Sequence, residues 1–571
     1  MVTKTAGGNN AFHNFHNDFA HIEDPNERRR LALAEIDKAP FGWYHVRAVL
    51  VAGTGFFTDS YDIFCVSLLT IMLGIVYKHD NKGALTTPQD TAIKLSTSAG
   101  TVIGQFGFGA LADIVGRKKM YGLELILIIV ATLAQSLVGP GPGTSVVGLI
   151  IFWRVLMGIG IGGDYPLSSI ITSEFATTKW RGAMMGAVFS MQGFGQLAGA
   201  LVMLILTAGF KDSLSGAKDY ASCSGTCQVA IDKMWRALIG LGIVPAAIAL
   251  YYRLTIPETP RYTFDVARDV EKANADVNTY ISGKRGEGHP DEMEAAAARR
   301  ASATALEVPK ASFSDFFRFY GKIKNGKILF GTAMSWLLLD VAFYGLGLNA
   351  STVLGAIGYA SGSNVYHQLY NLAAGNCILV CAGAIPGYWL AVATLDTIGR
   401  RPLQLIGFVF LTILFLIWGF AYEHISSHGM LAIYILIQLF FNWGPNSTTF
   451  IVPGECFPTR YRSTSHGISA GSGKIGSIIA QGAIAPLRTR GAAPGAKGAA
   501  ANPWLNHVMQ IFSAFMFCGI FTTLLIPETK RRTLEDLAND WDMGGESITG
   551  APVVENKASE HGSDEIVAER K

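Results

Sequence analysis

Twelve stretches of about 20 mostly apolar residues, the length that crosses the hydrocarbon core of a bilayer, can be laid along this chain of 571 residues. Six run from 45–74 to 235–256, and six from 327–350 to 504–526. Backbone amides in lipid must be satisfied within the segment itself, so each stretch is expected to be a helix. Half of all residues are hydrophobic and only 16% are charged, against about 25% in soluble domains. The reading is an all-α membrane protein of twelve transmembrane helices in two six-helix bundles. It divides the chain into an N-terminal segment (1–42), a first bundle (43–256), a central loop (257–326), a second bundle (327–526) and a tail (527–571).

Charge placement orients the chain. Lys and Arg favour the cytosolic side, and they gather after the even-numbered spans as Arg117, Lys118 and Lys119, Lys179 and Arg181, Arg400 and Arg401, and Arg460 and Arg462. Both termini and the central loop are therefore expected in the cytosol, and the plasma membrane is the expected location. Residues 1–41 begin no apolar run, so the first span is expected to act as its own signal. A net charge of +3 spread in short groups gives no reason to invoke nucleic acid. Cys223 and Cys227 lie in a polar loop placed outside, where a disulfide between them would persist. The other cysteines fall in or beside apolar stretches and show no metal-ligand spacing, and no cofactor or enzyme motif is present.

The halves repeat one another. Asp113-Ile-Val-Gly-Arg117 recurs as Asp396-Thr-Ile-Gly-Arg400, Glu174 to Arg181 recurs as Glu455 to Arg462, and Pro257-Glu258-Thr259 recurs as Pro527-Glu528-Thr529, all at nearly constant separation. Parallel six-span repeats imply a substrate site near the midplane between two bundles, with access alternating as one rocks against the other.

Ionisable groups inside a span cost about 2.5 kcal/mol or more on insertion scales, which makes each a functional candidate. Asp164 stands midway along span four, between Arg154 and Glu174. The glycines before it suit close helix packing. In span seven Trp336, Asp340 and Tyr344 recur at steps of four, so they share one helix face. Asp59 and Asp62 in span one, Gln192 and Gln196 in span five, Asn442 and Asn446 in span ten and Lys474 in span eleven are further midspan polar groups. Glu124 and Arg154 are read as stabilising the bundle, and Gln196 and Asn442 as interhelical hydrogen bonders.

The loop motifs resemble those of the major facilitator superfamily, from about residue 43 to 540. Gly-Ile-Gly-Gly-Asp-Tyr-Pro-Leu-Ser (160–168) followed by Glu174, with Trp336-Leu-Leu-Leu-Asp-Val-Ala-Phe-Tyr344, closely resembles the fungal high-affinity phosphate:proton symporters. That resemblance implies the major facilitator fold and symport of inorganic phosphate with protons. It implies that Asp164, Tyr165, Gln192, Trp336, Asp340, Tyr344 and Asn446 line phosphate, and that Asp59, Asp164 and Asp340 handle protons. For Lys474 it implies a place in the phosphate pathway, while the residues alone equally allow a pairing with Asp164 or Asp340.

Acids at an anion site have a physical rationale. Dihydrogen phosphate can donate a hydrogen bond to an ionised carboxylate, whereas sulfate has no proton to give, so Asp164 and Asp340 are expected to reject sulfate. The membrane potential acts on net charge at about 2.3 kcal/mol per 100 mV, so uptake of the anion needs more than one proton. The competing readings are a proton-coupled porter of sugar or a glycerophosphodiester, and a phosphate sensor that signals through its central loop and tail. Against a sugar porter, spans five and seven lack a paired-Gln pattern. Ser, Thr and Lys residues in the loop and tail are candidate targets of regulatory or ubiquitination machinery.

Overall fold

The computed structural model describes residues 42–254 and 312–537, apart from 360, 494, 495, 497 and 535. Most of the expected central loop, the tail after residue 537 and the first Pro-Glu-Thr element lie outside the described residues. Secondary structure among the described residues is helical, with one isolated bridge between Gly141 and Thr144.

The first half contains α1 (His45–Tyr77), α2 (Thr87–Val115), α3 (Arg117–Ser136), α4 (Val146–Phe175), α5 (Arg181–Gly209) and α6 (Thr226–Arg253). The second contains α7 (Ile323–Gly347), α8 (Val365–Ile398), α9 (Arg400–Phe420), then α10 in two pieces (Ser427–Asn442 and Pro445–Cys456), α11 (Arg462–Ile479) and α12 (Leu505–Thr523). Ten of these are long and apolar enough to cross a membrane as single helices. The other two depart for visible reasons. Gly444 and Pro445 break α10 at midlength, since proline lacks the N–H that would continue the ladder. Helix α11 is rich in Gly and Ser because it packs between α2 and α7, and a span surrounded by protein has no need to match lipid. A helix at Phe313–Gly321 falls in what sequence assigns to the central loop.

Polar caps begin several spans. Thr86 and Gln89 form a reciprocal capping box before α2, with Pro88 in the first turn, and Ser145, Asn364 and Ser426 each accept a backbone N–H at the start of a helix. Gly116 and Gly399, at equivalent places in the repeats, have φ of 111° and 107°, a region that favours glycine. They turn the chain sharply between α2 and α3 and between α8 and α9.

Packing repeats as the sequence does. Helix α1 lies on α5 as α7 lies on α11, and the halves meet through α2 with α11 and α5 with α8. The glycines of α4 serve contact with α2: a Cβ at Gly158 or Gly162 would run into the Thr97 or Thr101 carbonyl. Exposed Ile126, Val130, Ile205, Phe410, Ile413 and Phe521 clothe the outer faces, as an integral membrane protein requires.

At the end carrying the basic loops, both repeats close on each other. Asp113 accepts hydrogen bonds from the Ser463 and Thr464 backbone at the start of α11 (3.3 and 2.7 Å). Asp396 accepts one from Ala183 at the start of α5 (2.8 Å). Buried ion pairs reinforce each corner: Arg117 with Asp113 and Glu174, Arg462 with Glu174, and Arg400 with Asp396 and Glu455. A carboxylate at a helix N-terminus complements its exposed donors, so the repeated loop motifs act as latches. At the opposite end Cys223 and Cys227 are joined, 5.4 Å apart at Cα. The loop before them touches α8, where the Val365 N–H donates to the Ala217 carbonyl (3.0 Å). The two halves are thus in contact at both ends.

Candidate functional site between the halves

Midway between the two ends, one polar network joins both halves. The face of α7 bearing Trp336, Asp340 and Tyr344 turns inward, all three at most 3% exposed. Lys474 of α11 meets it, with Nζ 3.1 Å from Asp340 Oδ2 and 2.8 Å from the Tyr344 hydroxyl. The same ammonium lies 4.9 Å from the ring centre of Tyr165 on α4 and 4.1 Å from that of Tyr344. Both are distances at which a ring quadrupole attracts a cation. A Cβ at Gly473 would strike Trp336 and Asp340, so this glycine lets α11 come close enough for Lys474 to reach.

From Tyr165 the network runs across the interface. Gln192 on α5 donates to the Tyr165 hydroxyl (2.9 Å) and accepts from the Tyr388 hydroxyl of α8 (3.1 Å). Asn446 in the second piece of α10 donates to Tyr388 and to Asn442 (3.0 and 2.8 Å). The break at Gly444–Pro445 is what sets Asn446 at the start of a fresh helical piece. Phe56, Phe189 and Phe450 pack beside Tyr165 as an apolar wall, with the Phe189 and Phe450 rings stacked at 4.4 Å. Donors at the ends of aromatic side chains, buried between two bundles, suit a small polar ligand.

Of the residues expected from sequence, Tyr165, Gln192, Trp336, Asp340, Tyr344, Asn446 and Lys474 meet here. The pairing left open for Lys474 falls to Asp340. Asp164 is the exception. Both of its oxygens are taken by Arg253 of α6, at 2.8 Å each, and Ser168 donates to it as well. Arg253 also pairs with Glu124 at 2.8 Å and lies over the Tyr121 ring. The Asp59 carboxyl of α1 stands against that of Asp164. Asp164 therefore sits in a separate ionic cluster within the first half, and Glu124, read as a bundle stabiliser, shares its cation. A Cβ at Gly55, one turn before Asp59, would fall onto Arg253 and Asp164. The cluster fits only because that position has no side chain.

Two members escape sequence reading. Tyr388 bridges the halves, yet a tyrosine in an apolar span carries no mark of its role. Arg253 closes α6, where a long basic side chain ordinarily reaches outward to water, and here it turns inward. Gln196, four residues beyond Gln192, lines a separate cavity of about 40 Å³ near Phe64 and Phe343.

A paired six-helix architecture, joined at both ends around a buried polar site, defines a major facilitator transporter. Residues 48–541 match the sugar (and other) transporter family, and the chain belongs to it. Among its relatives, the repressible high-affinity phosphate permease of Neurospora crassa is 66% identical, with 95% of each chain covered. The inorganic phosphate transporter PHO84 of Saccharomyces cerevisiae is 57% identical over 93% of this chain and 91% of its own. A rice inorganic phosphate transporter (1-2) is 38% identical over 89% and 96%. Among solved structures, the proton:xylose symporter XylE bound to 6-bromo-6-deoxy-D-glucose superposes with a TM-score of 0.66 at 20% identity, covering 87% of this chain and 99% of that one. At that identity it speaks for the fold.

Proposed function

We propose that this protein imports inorganic phosphate together with protons by alternating access, with the ion bound between the halves by Tyr165, Gln192, Trp336, Tyr344, Asn446 and Lys474. The observation that carries the reading is the buried Lys474–Asp340 pair at the interface. Within the pair the charges cancel. A monoanion added to a neutral pair in a buried site leaves one uncompensated charge, which costs several kcal/mol. A proton delivered to Asp340 removes that charge and frees the ammonium for phosphate. When the inner side opens and phosphate leaves, Lys474 returns to Asp340 and the proton is expelled.

This assigns the rejection of sulfate to Asp340 alone. Sulfate brings two charges and no proton, so one protonated acid cannot balance it. Asp164, saturated by Arg253, is not proposed to touch phosphate. Asp59 and Asp164 instead form a carboxyl pair that holds the further proton required for uptake against the membrane potential. Relatives at 57–66% identity named as phosphate transporters or permeases support the substrate. A glycerophosphodiester or sugar porter is less well supported, because α5 offers this site one glutamine, and the relatives named above are phosphate transporters or permeases.

We further place the protein in the plasma membrane with the latch-bearing loops in the cytosol, on the distribution of Lys and Arg. Protease protection of a tag on either terminus tests that orientation. The central loop and tail would then be open to regulatory machinery. For transport itself, purified protein in liposomes with an imposed proton gradient should accumulate labelled phosphate, with arsenate but not sulfate or glucose competing. Accumulation of glucose, or competition by sulfate equal to that by arsenate, would overturn the assignment.

A further inference from the structure

Between the central site and the disulfide end lies a second, smaller void of about 10 Å³, lined by Lys94, Thr97, Ser98, Arg154, Tyr344 and Lys474 among others. Arg154 is 1% exposed and its Nε and Nη2 have no hydrogen-bond partner, and neither has the Thr97 hydroxyl. An unmet buried guanidinium is costly. Cys65 and Asp62 lie near it, but no carboxylate forms an ion pair with it among the described residues. On the far side of the void, Lys94 is held by Asp90 at 2.7 Å and, across the halves, by the Asn349 side chain at 3.0 Å. Asn349 in turn donates to Gln481 (3.0 Å), within a π-helical turn that continues α11. Such turns recur at functional positions. Arg488 adds another positive charge near Lys94, so Asp90 faces two cations.

We propose that Lys94, Thr97 and Arg154 form an outer subsite for a tetrahedral oxyanion, distinct from the central site and used on the way to Lys474. The ion is phosphate on the reading above, and the proposal rests on that reading. As it stands, the void admits one water at most. It enlarges when the Lys94–Asn349 and Ser98–Ser477 contacts part, the latter at 2.8 Å, since these link α2 of the first half to the residue just past α7 and to α11 of the second. Opening the outer mouth therefore releases the Lys94 ammonium from the second half while Arg154 and Thr97 stay in the first. Three donors of the first half are then left facing the incoming anion, with Lys474 as the next cation inward. The same bond that shuts the mouth hides the subsite.

The test is initial-rate uptake of labelled phosphate by liposomes holding the protein in a single orientation. Lys94→Met should raise KM for external phosphate about tenfold, the worth of one hydrogen bond to a charged group, with Vmax little changed. Lys94→Arg should restore it, and Thr97→Val should raise KM in the same sense. Asn349→Ala cuts the contact but keeps the cation, and should leave KM unchanged or lower. An unchanged KM in Lys94→Met beside an active wild type would overturn the subsite while leaving the central site standing. Equal rises in KM for Lys94→Met and Asn349→Ala would also overturn it, because Lys94 would then act only as a latch. A wild type that accumulates no phosphate would overturn the parent reading instead.

Discussion

Replacing Asp340 by Asn isolates the coupling step, because the amide keeps the shape of the protonated acid and never carries its charge. In the wild-type structure, Lys474 Nζ lies 3.1 Å from Asp340 Oδ2, an attraction of about 5 kcal/mol at an effective dielectric near 20. Breaking buried pairs by removing one partner costs about 3–5 kcal/mol. An anion arriving at Asp340→Asn no longer competes with that partner. Taking the lower figure, about 3 kcal/mol, affinity for phosphate at neutral pH should rise about a hundredfold. It should also lose most of its dependence on pH. The stranded ammonium lowers the thermal stability of the empty variant, and phosphate should restore it. Binding by calorimetry at several pH values measures the first effect. Transport separates the second: exchange of phosphate across a liposome should continue, while accumulation driven by a proton gradient should vanish, since nothing expels the ion inside. Weaker binding at every pH, or accumulation with the wild-type pH profile, would refute the reasoning.

Other expectations follow from single contacts. Tyr388→Phe removes the hydroxyl that links Gln192 to Asn446; it should raise KM by up to about tenfold, the range for one buried hydrogen bond, and lower the melting temperature because two buried partners lose their bond. Gly55→Ala forces a methyl into the Arg253–Asp164 pair; a loss of about 1–3 kcal/mol should appear as a lower melting temperature in detergent, whereas Gly107→Ala, with open space around it, serves as the control. Asp396→Ala frees the Ala183 N–H and one partner of Arg400. It should favour opening at the basic-loop end, read as faster alkylation of Ser169→Cys, a buried position beside Gly454 of the other half.

The scaffold was legible because lipid leaves few choices: apolar length marks spans, and repeated loop motifs mark the duplication. Most of the central site was also legible, through polar groups that a bilayer makes expensive and through family likeness. What sequence could not convey is direction. Asp164 and Tyr165 are adjacent, so on a helix their side chains point about 100° apart. One faces the first half's own ionic cluster and the other faces the interface. Nothing in residue type says which. Arg253 and Tyr388 were missed for the related reason that partners on distant helices, rather than their own neighbours, define their roles.

Duplication also explains the two acid centres and why they differ. The chain separation between Asp59 and Asp340 equals that between Glu174 and Glu455, and Tyr165 is related to Asn446 by the same interval. Asp59 and Asp340 are thus counterparts on the first helix of each half. Their cations are not counterparts. Asp340 meets Lys474 directly from α11, whereas Asp59 stands beside Asp164, whose carboxylate is the one that Arg253 pairs with. An acid paired with the substrate's own cation must change charge whenever the anion binds, and an acid behind a saturated pair need not. On the proposed mechanism, Asp340 is tied to phosphate in every cycle, while Asp59 answers to how far the first half's helices α1, α4 and α6 have moved. If both acids carry protons as proposed, rules that different would have them taken up and released at different stages, which a symmetric pair of sites could not enforce.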